Sequence, residues 1–172
     1  MAIATITLTI LSFIFGGTPF KKGSISIQSL SMGIISGILL YGLFWLGNLV
    51  SSYIFPFALE QINSLYQFRH QSELWMIILI LLFITSPAEE LYWRGFIQRW
   101  LTQLLGETKG LIYGAILYAA VHLVSGNLML VLSAIVAGLF WGYLYNRTDN
   151  MAIPIISHAV WAILIFVVMP LS

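Results

Sequence analysis

Residues 74–105 read LWMIILILLFITSPAEELYWRGFIQRWLTQLL, and this stretch decides the fold. Its first part, up to Thr85, is wholly apolar apart from that threonine. Alone it is too short to cross a bilayer, because a crossing helix needs about 20 apolar residues. Pro87 interrupts it, since a proline lacks the N–H that a helix interior uses. The helical pattern then resumes and runs to Gly106, a residue suited to end a helix. The expectation is one long broken helix over 74–105. Ser86 before Pro87, with Glu89 and Glu90 behind it, has the pattern of a helix N-terminus: a capping hydroxyl, a proline in the first turn, then acids.

The rest of the chain shares this character. Of its 172 residues, 60% are hydrophobic and 8% are charged, against about 25% charged in a soluble domain. So few charges suit a bilayer, where helices satisfy their own backbone polar groups. The fold class expected is all-α: a polytopic transmembrane helix bundle of about five to six spans, with a broken helix at Pro87. A net charge of +1 excludes nucleic acid as a partner, which would need a concentrated basic footprint. With no cysteine, disulfides, thiol catalysis and cysteine metal sites are excluded as well.

Residues 2–15 read as a short first span ending at Gly16, Gly17 and Pro19, with Lys21 and Lys22 at the interface. Residues 28–55 form a span rich in glycine and serine, a composition that suits close packing on another helix or on a second copy. Pro56 ends it, and residues 57–73, with Glu60, Arg69, His70 and Glu73, read as an extramembrane connection. Two further spans, 110–124 and 127–145, are joined by the tight turn Ser125-Gly126-Asn127. The last span runs from 152 to 170 after a polar turn at Arg147–Asn150. The chain divides into N-terminal spans and connection, 1–73, and a helical core, 74–172. Lys21, Lys22, Arg99, Lys109 and Arg147 fall on one side and Arg69 on the other. The positive-inside rule makes the first side cytoplasmic. The expected location is a bacterial-type cell membrane, with membrane lipid as a partner.

An ionisable group at membrane depth is expensive and marks a functional site by default. Glu89 and Glu90 are adjacent, so they diverge by about 100° around a helix. Arg94 follows Glu90 by four residues, on the same face, which suits an ion pair. Glu89 is then left for chemistry, and a carboxylate in an apolar pocket can serve as a general base. The bland alternative is a pair of interfacial charges reaching for water. His122, in LYAAVHLVSGN, and His158, in IPIISHAVWAIL, also lie inside apolar spans. Either could hold a water or a metal, or could simply bond a neighbouring helix. Counted from the turn at Gly106–Lys109, Glu89 lies about 25 Å and His122 about 20 Å along their helices. His158 lies about 10 Å in from its own turn, nearer the mouth. All three could line one cytoplasm-facing cavity. Tyr118 reads mostly as packing, with a hydroxyl that could reach a catalytic water, and Asn127 reads mostly as a turn residue.

At these positions the sequence resembles the CPBP family of CAAX proteases and bacteriocin-processing enzymes, also called Abi or type II CAAX prenyl endopeptidases. The resemblance covers about residues 74–168. Glu89-Glu90-x-x-x-Arg94 matches an EExxxR motif, and Tyr118-x-x-x-His122 matches an FxxxH motif with tyrosine for phenylalanine. His122-Leu123-x-x-Gly126-Asn127 and the block holding Arg147, Pro154, His158 and Ala159 are also similar to the family. One departure stands out: Ala162 occupies a position where the family carries Asn or Asp.

The resemblance implies a glutamate-dependent, metal-independent intramembrane endopeptidase. Its substrate would be a peptide or membrane protein, lipidated in some members. Glu89 would be the base and His122 would hold the water. His158 would donate to the oxyanion, and Glu90 and Arg94 would orient the site. With Ala162 lacking a donor, Asn127 is a candidate to supply it. Losing one such donor costs about 10²–10³ in rate. No cofactor is expected. Zinc is the minority alternative, since two His and two Glu suit it by ligand type but not by spacing. A catalytically silent binding or immunity-type protein of the same fold, and a proton-coupled carrier, are alternatives from other classes.

Overall fold

The structure, a computed structural model, describes residues 25–67 and 73–171, together with Thr7, Ile10 and Ile14. Apart from those three residues, the expected first span lies outside the described residues, as do Lys21, Lys22, Arg69 and His70.

Helix α1 spans Ile27–Ile54. Ser26 and Ser29 cap its start reciprocally. The Ser29 N–H donates to Ser26 Oγ at 3.1 Å, and the Ser26 N–H donates to Ser29 Oγ at 2.8 Å. Its small residues Ser29, Gly33, Ser36 and Gly37 form the buried face. That face lies directly on the last helix. A Cβ built on Gly33 would stand 2.6 Å from Ile156 Cβ, and one on Gly37 would stand 2.7 Å from the Ser157 carbonyl. The glycine-rich span therefore packs within its own chain, with backbones in near contact as small residues allow in membranes. Gly37→Leu should force the two helices apart and lower stability by about 3 kcal/mol. Thermal unfolding in detergent reads this directly; an unchanged midpoint would mean that the contact does not hold α1 in place.

The connection after α1 contains a short helix, α2, at Ala58–Tyr66. Its nine residues mix polar and apolar types, which hid it among loop residues.

Helix α3 runs unbroken over Leu74–Leu105. Two stretches within it, Leu81–Thr85 and Trp93–Gln98, widen to π-helical turns. The first explains how the helix passes Pro87. The Ser86 N–H bonds to the Leu81 carbonyl, five residues back, so the ladder shifts register ahead of the proline and continues. The break expected at Pro87 is thus a widened turn. The capping role expected of Ser86 is corrected: its backbone is helical (φ −61°, ψ −47°), it is fully buried, and no helix starts there.

Helix α4, Glu107–Ser125, tightens to a 3₁₀ turn over Val121–Ser125. Gly126 reverses the chain at φ +66°, a left-handed conformation that glycine adopts without strain. Helix α5, Leu128–Thr148, follows, capped by Asn127 Oδ1, which accepts from the Leu130 N–H at 2.9 Å. Asp149 and Asn150 turn the chain into α6, Ala152–Val168.

Helices α1, α3, α4 and α5 are long and apolar enough to cross a membrane, and α6 is a shorter apolar helix. The chain is a polytopic all-α bundle. Its centre is Trp141, fully buried where Leu40 of α1 and Tyr118 of α4 meet Ala134 and Ala137 of α5. A second cluster joins Leu91, Tyr145 and Met151. It places the start of α6 beside Leu91, well short of the end of α3 at Leu105.

Candidate active site

The widened turns of α3 flank the segment Ser86–Tyr92 that carries both glutamates. The two side chains go to different surroundings. Glu90 is fully buried. Its Oε1 accepts from Arg94 Nη1 at 3.1 Å and from His158 Nδ1 at 2.8 Å. A carboxylate only accepts from an imidazole, so His158 carries a proton on Nδ1 and presents Nε2 elsewhere. The His158 ring is stacked on Trp141, with centroids 3.9 Å apart and planes 14° apart. Trp141 is itself fixed by donating to Ser157 Oγ at 3.2 Å.

Arg94 is 2% exposed and ties the helices together. Its Nη2 donates to the Gly138 carbonyl of α5 at 3.3 Å. Its guanidinium lies 4.7 Å from the Tyr118 ring centre and 5.4 Å from that of Trp141. Two aromatic faces and a carboxylate thus surround a cation that would otherwise be costly to bury.

Glu89 is only partly buried. Tyr118 donates its hydroxyl to Glu89 Oε2 at 2.9 Å. The Tyr118 carbonyl accepts from His122 Nδ1 at 2.8 Å, and the two rings meet edge to face at 5.2 Å. A carbonyl has no proton to give, so His122 also bears its proton on Nδ1 and leaves Nε2 bare in the neutral ring. Tyr118, read mainly as packing, is the bridge between Glu89 and His122.

One turn below Arg94, Gln98 Nε2 donates to the Gly142 carbonyl at 2.9 Å and to Asn146 Oδ1 at 2.7 Å. Gln98 was missed in the sequence. The signal was there: Ser86, Glu90, Arg94 and Gln98 recur every four residues on an apolar helix, which puts them on one face.

Asn127 sits elsewhere. Its Nδ2 donates to the Gln61 carbonyl at 2.8 Å and to Ser64 Oγ at 3.2 Å, while its Oδ1 caps α5. The Nδ2 end thus joins α2 to the α4–α5 turn, and the Oδ1 end caps α5. Ala162 is 1% exposed and packed inside the bundle. His158 lies level with Glu90, and the expectation that it sits nearer the mouth is corrected. The helix ends are staggered, so counting from its own turn misjudged its depth. His122 stands in the last turn of α4, at the end that carries α2, while Arg99, Lys109 and Arg147 lie toward the other end. Among the described residues, no group of three or more His, Asp or Glu side chains is placed to hold a metal ion.

The profile of one protein family, described as Type II CAAX prenyl endopeptidase Rce1-like, matches residues 71–164. No curated protein and no solved structure matches the chain.

Proposed function

Because the chain belongs to the type II CAAX prenyl endopeptidase Rce1-like family, we propose that it hydrolyses a peptide bond of a membrane-associated or lipidated substrate, with Glu89 as general base. One observation carries this reading: the adjacent glutamates are divided by environment. Glu90 is buried under a histidine and an arginine. Among the described residues Glu89 takes one hydrogen bond, from Tyr118 on Oε2, and in this reading Oε1 binds a water.

In this mechanism a water lies between Glu89 Oε1 and His122 Nε2. Glu89 takes one of its protons as the oxygen attacks the scissile carbonyl carbon and the C–O bond forms. The carbonyl π electrons move to oxygen. To stabilise that oxyanion His158 needs a second proton, on Nε2, to donate to it, while Nδ1–H stays on Glu90. Glu89 then passes the proton to the departing nitrogen as the C–N bond breaks. Glu90 and Arg94 are positioning residues, because Glu90 fixes which nitrogen of His158 faces the substrate.

The test is cleavage by the purified protein of a farnesylated CAAX peptide and of an unlipidated, membrane-anchored peptide, with and without a chelator. Cleavage that survives the chelator is expected. Cleavage lost to the chelator would transfer the chemistry to a metal ion. No cleavage of either would favour a second reading, a binding protein of the same fold, which the apolar Ala162 beside the His158 turn favours. Tyr118→Phe should lower kcat by about tenfold, the worth of roughly 1.5 kcal/mol for one hydrogen bond to a charged group, with the helical circular dichroism signal unchanged. A kcat equal to wild type would remove Tyr118 from the site.

The membrane orientation is part of the same proposal. By the positive-inside rule Arg99, Lys109 and Arg147 would mark the cytoplasmic end, and His122 stands at the opposite end. A cytoplasmic mouth then requires substrate to enter past Gln98. Val124 is 94% exposed and close to His122 in sequence. A cysteine placed there, the sole one in the chain, should react with an impermeant maleimide from outside intact cells. Reaction only in inside-out vesicles would reverse the assignment and restore a cytoplasmic mouth.

A further inference from the structure

Among the described residues, four buried side-chain polar atoms have no hydrogen-bond partner: Ser86 Oγ, Glu90 Oε2, Thr102 Oγ1 and Trp161 Nε1. Three of them lie within one turn of the Glu90–His158 contact along the chain. Ser86 and Glu90 are four residues apart on α3 and share a face. His158 is bonded to Glu90, and Trp161 follows it by three residues, its ring centre 5.9 Å away. Helices α3 and α6 run antiparallel, since α6 starts beside Leu91 and goes on to meet the earlier turn Leu81–Thr85. Ser86, one turn before Glu90, and Trp161, one turn after His158, therefore lie at the same level.

The chemistry of these three groups is complementary to one guest. An indole N–H only donates, an ionised carboxylate oxygen only accepts, and a hydroxyl does both. A neutral molecule with two protons to give and lone pairs to receive satisfies all three. An anion does not, because Glu90 Oε2 would repel it. The substrate oxyanion is excluded on that ground and must form on the other side of His158, at Nε2. A buried water commonly makes about three such bonds, and leaving the groups bare costs about 1–3 kcal/mol each.

We infer that Ser86, Glu90 and Trp161 form a binding site for a single water molecule, which anchors the second oxygen of Glu90. The inference rests on the peptidase reading only for its kinetic consequence. Glu90 Oε1 is held by two donors while Oε2 has none. A water on Oε2 fixes the second oxygen as well and so helps to keep Oε1 beneath His158 Nδ1. Ser86 and Trp161 are thereby positioning residues for His158. The Trp161 ring is itself held in place, meeting Phe44 edge to face at 4.9 Å and Trp141 at 5.4 Å.

A crystal structure of the whole protein at a resolution that shows ordered water is the first test. A solvent peak within hydrogen-bonding distance of all three atoms is expected. A dry junction, with Trp161 Nε1 donating straight to Ser86 or Glu90, would overturn the site, and neither outcome depends on activity. The second test is Trp161→Phe in the cleavage assay. It should lower kcat by up to about 10²-fold with KM unchanged, because His158 is misplaced rather than lost. Unchanged kcat overturns the positioning role while leaving Glu89 as base, whereas cleavage that persists in Glu89→Gln sinks the peptidase mechanism instead. Should the phenylalanine variant fail to fold, benzothienylalanine at 161 keeps the shape and removes only the N–H, and the same two outcomes apply to it.

Discussion

Glutamine at position 89 is expected to lower peptide cleavage by about 10²–10⁴-fold, the range that a positioned general base contributes, while leaving the fold intact. The structural side of this expectation is direct. Glu89 is half-buried and, among the described residues, receives one hydrogen bond, from the Tyr118 hydroxyl at 2.9 Å. An amide oxygen accepts that bond as well as a carboxylate oxygen does, so the helix contacts are kept. The amide cannot take a proton from water. Cleavage measured by mass spectrometry should therefore collapse, while the thermal midpoint and circular dichroism match wild type. A variant that cleaves at the wild-type rate would show that Glu89 is a bystander. A variant that loses cleavage and unfolds together would show a structural glutamate.

The second large effect is on stability. Arg94→Met should cost about 3–5 kcal/mol, because it leaves a buried carboxylate without its arginine. Glu90 would retain His158 on Oε1 but lose the guanidinium at 3.1 Å. The bond to the Gly138 carbonyl and the contacts with Tyr118 and Trp141 would go too. Lysine is no substitute, since its compact ammonium has no planar face to lay against the two rings and cannot spread its donors as widely as a guanidinium. Adding Glu90→Gln to Arg94→Met should recover part of the loss, because removing both partners costs less than orphaning one. Unfolding in detergent compares the single and double variants. If the double variant is the sum of two independent losses, the ion pair is not the source of the cost.

The sequence made the bundle legible because the bilayer constrains it so tightly. Long apolar runs separated by Gly106, Gly126 and Asp149 had few other readings. The Glu90–Arg94 pair was legible for a similar reason: four residues on one helix define a geometry. What lay outside a single helix was harder. The bond from Tyr118 to Glu89 joins α4 to α3, and no local spacing encodes it. The depth of His158 depends on how far α6 is recessed beside α3, a tertiary fact that counting from turns cannot supply. Ser86 was misread because serine, proline and two acids make a good helix start in water. Between two widened turns of a membrane helix the same residues simply continue. Asn127 read mostly as a turn residue, and its cap on α5 agrees, but its bonds to Gln61 and Ser64 join helices that no local spacing relates.

The tight seat of α1 on α6 has a consequence for how the protein is made. The glycine face of α1 is synthesised early, yet the helix that fills it leaves the ribosome last among the described helices. Until then α1 can only wait in the lipid, with its small residues uncovered. His158 arrives on that same last helix, so Glu90 enters the bilayer without it. It does not enter alone, because Arg94 is four residues away on the same helix and the pair can cross the insertion machinery as a nearly neutral unit. The nascent chain would thus carry Glu89, Glu90 and Arg94 into the membrane early, and the proposed site would stay incomplete until α6 docks.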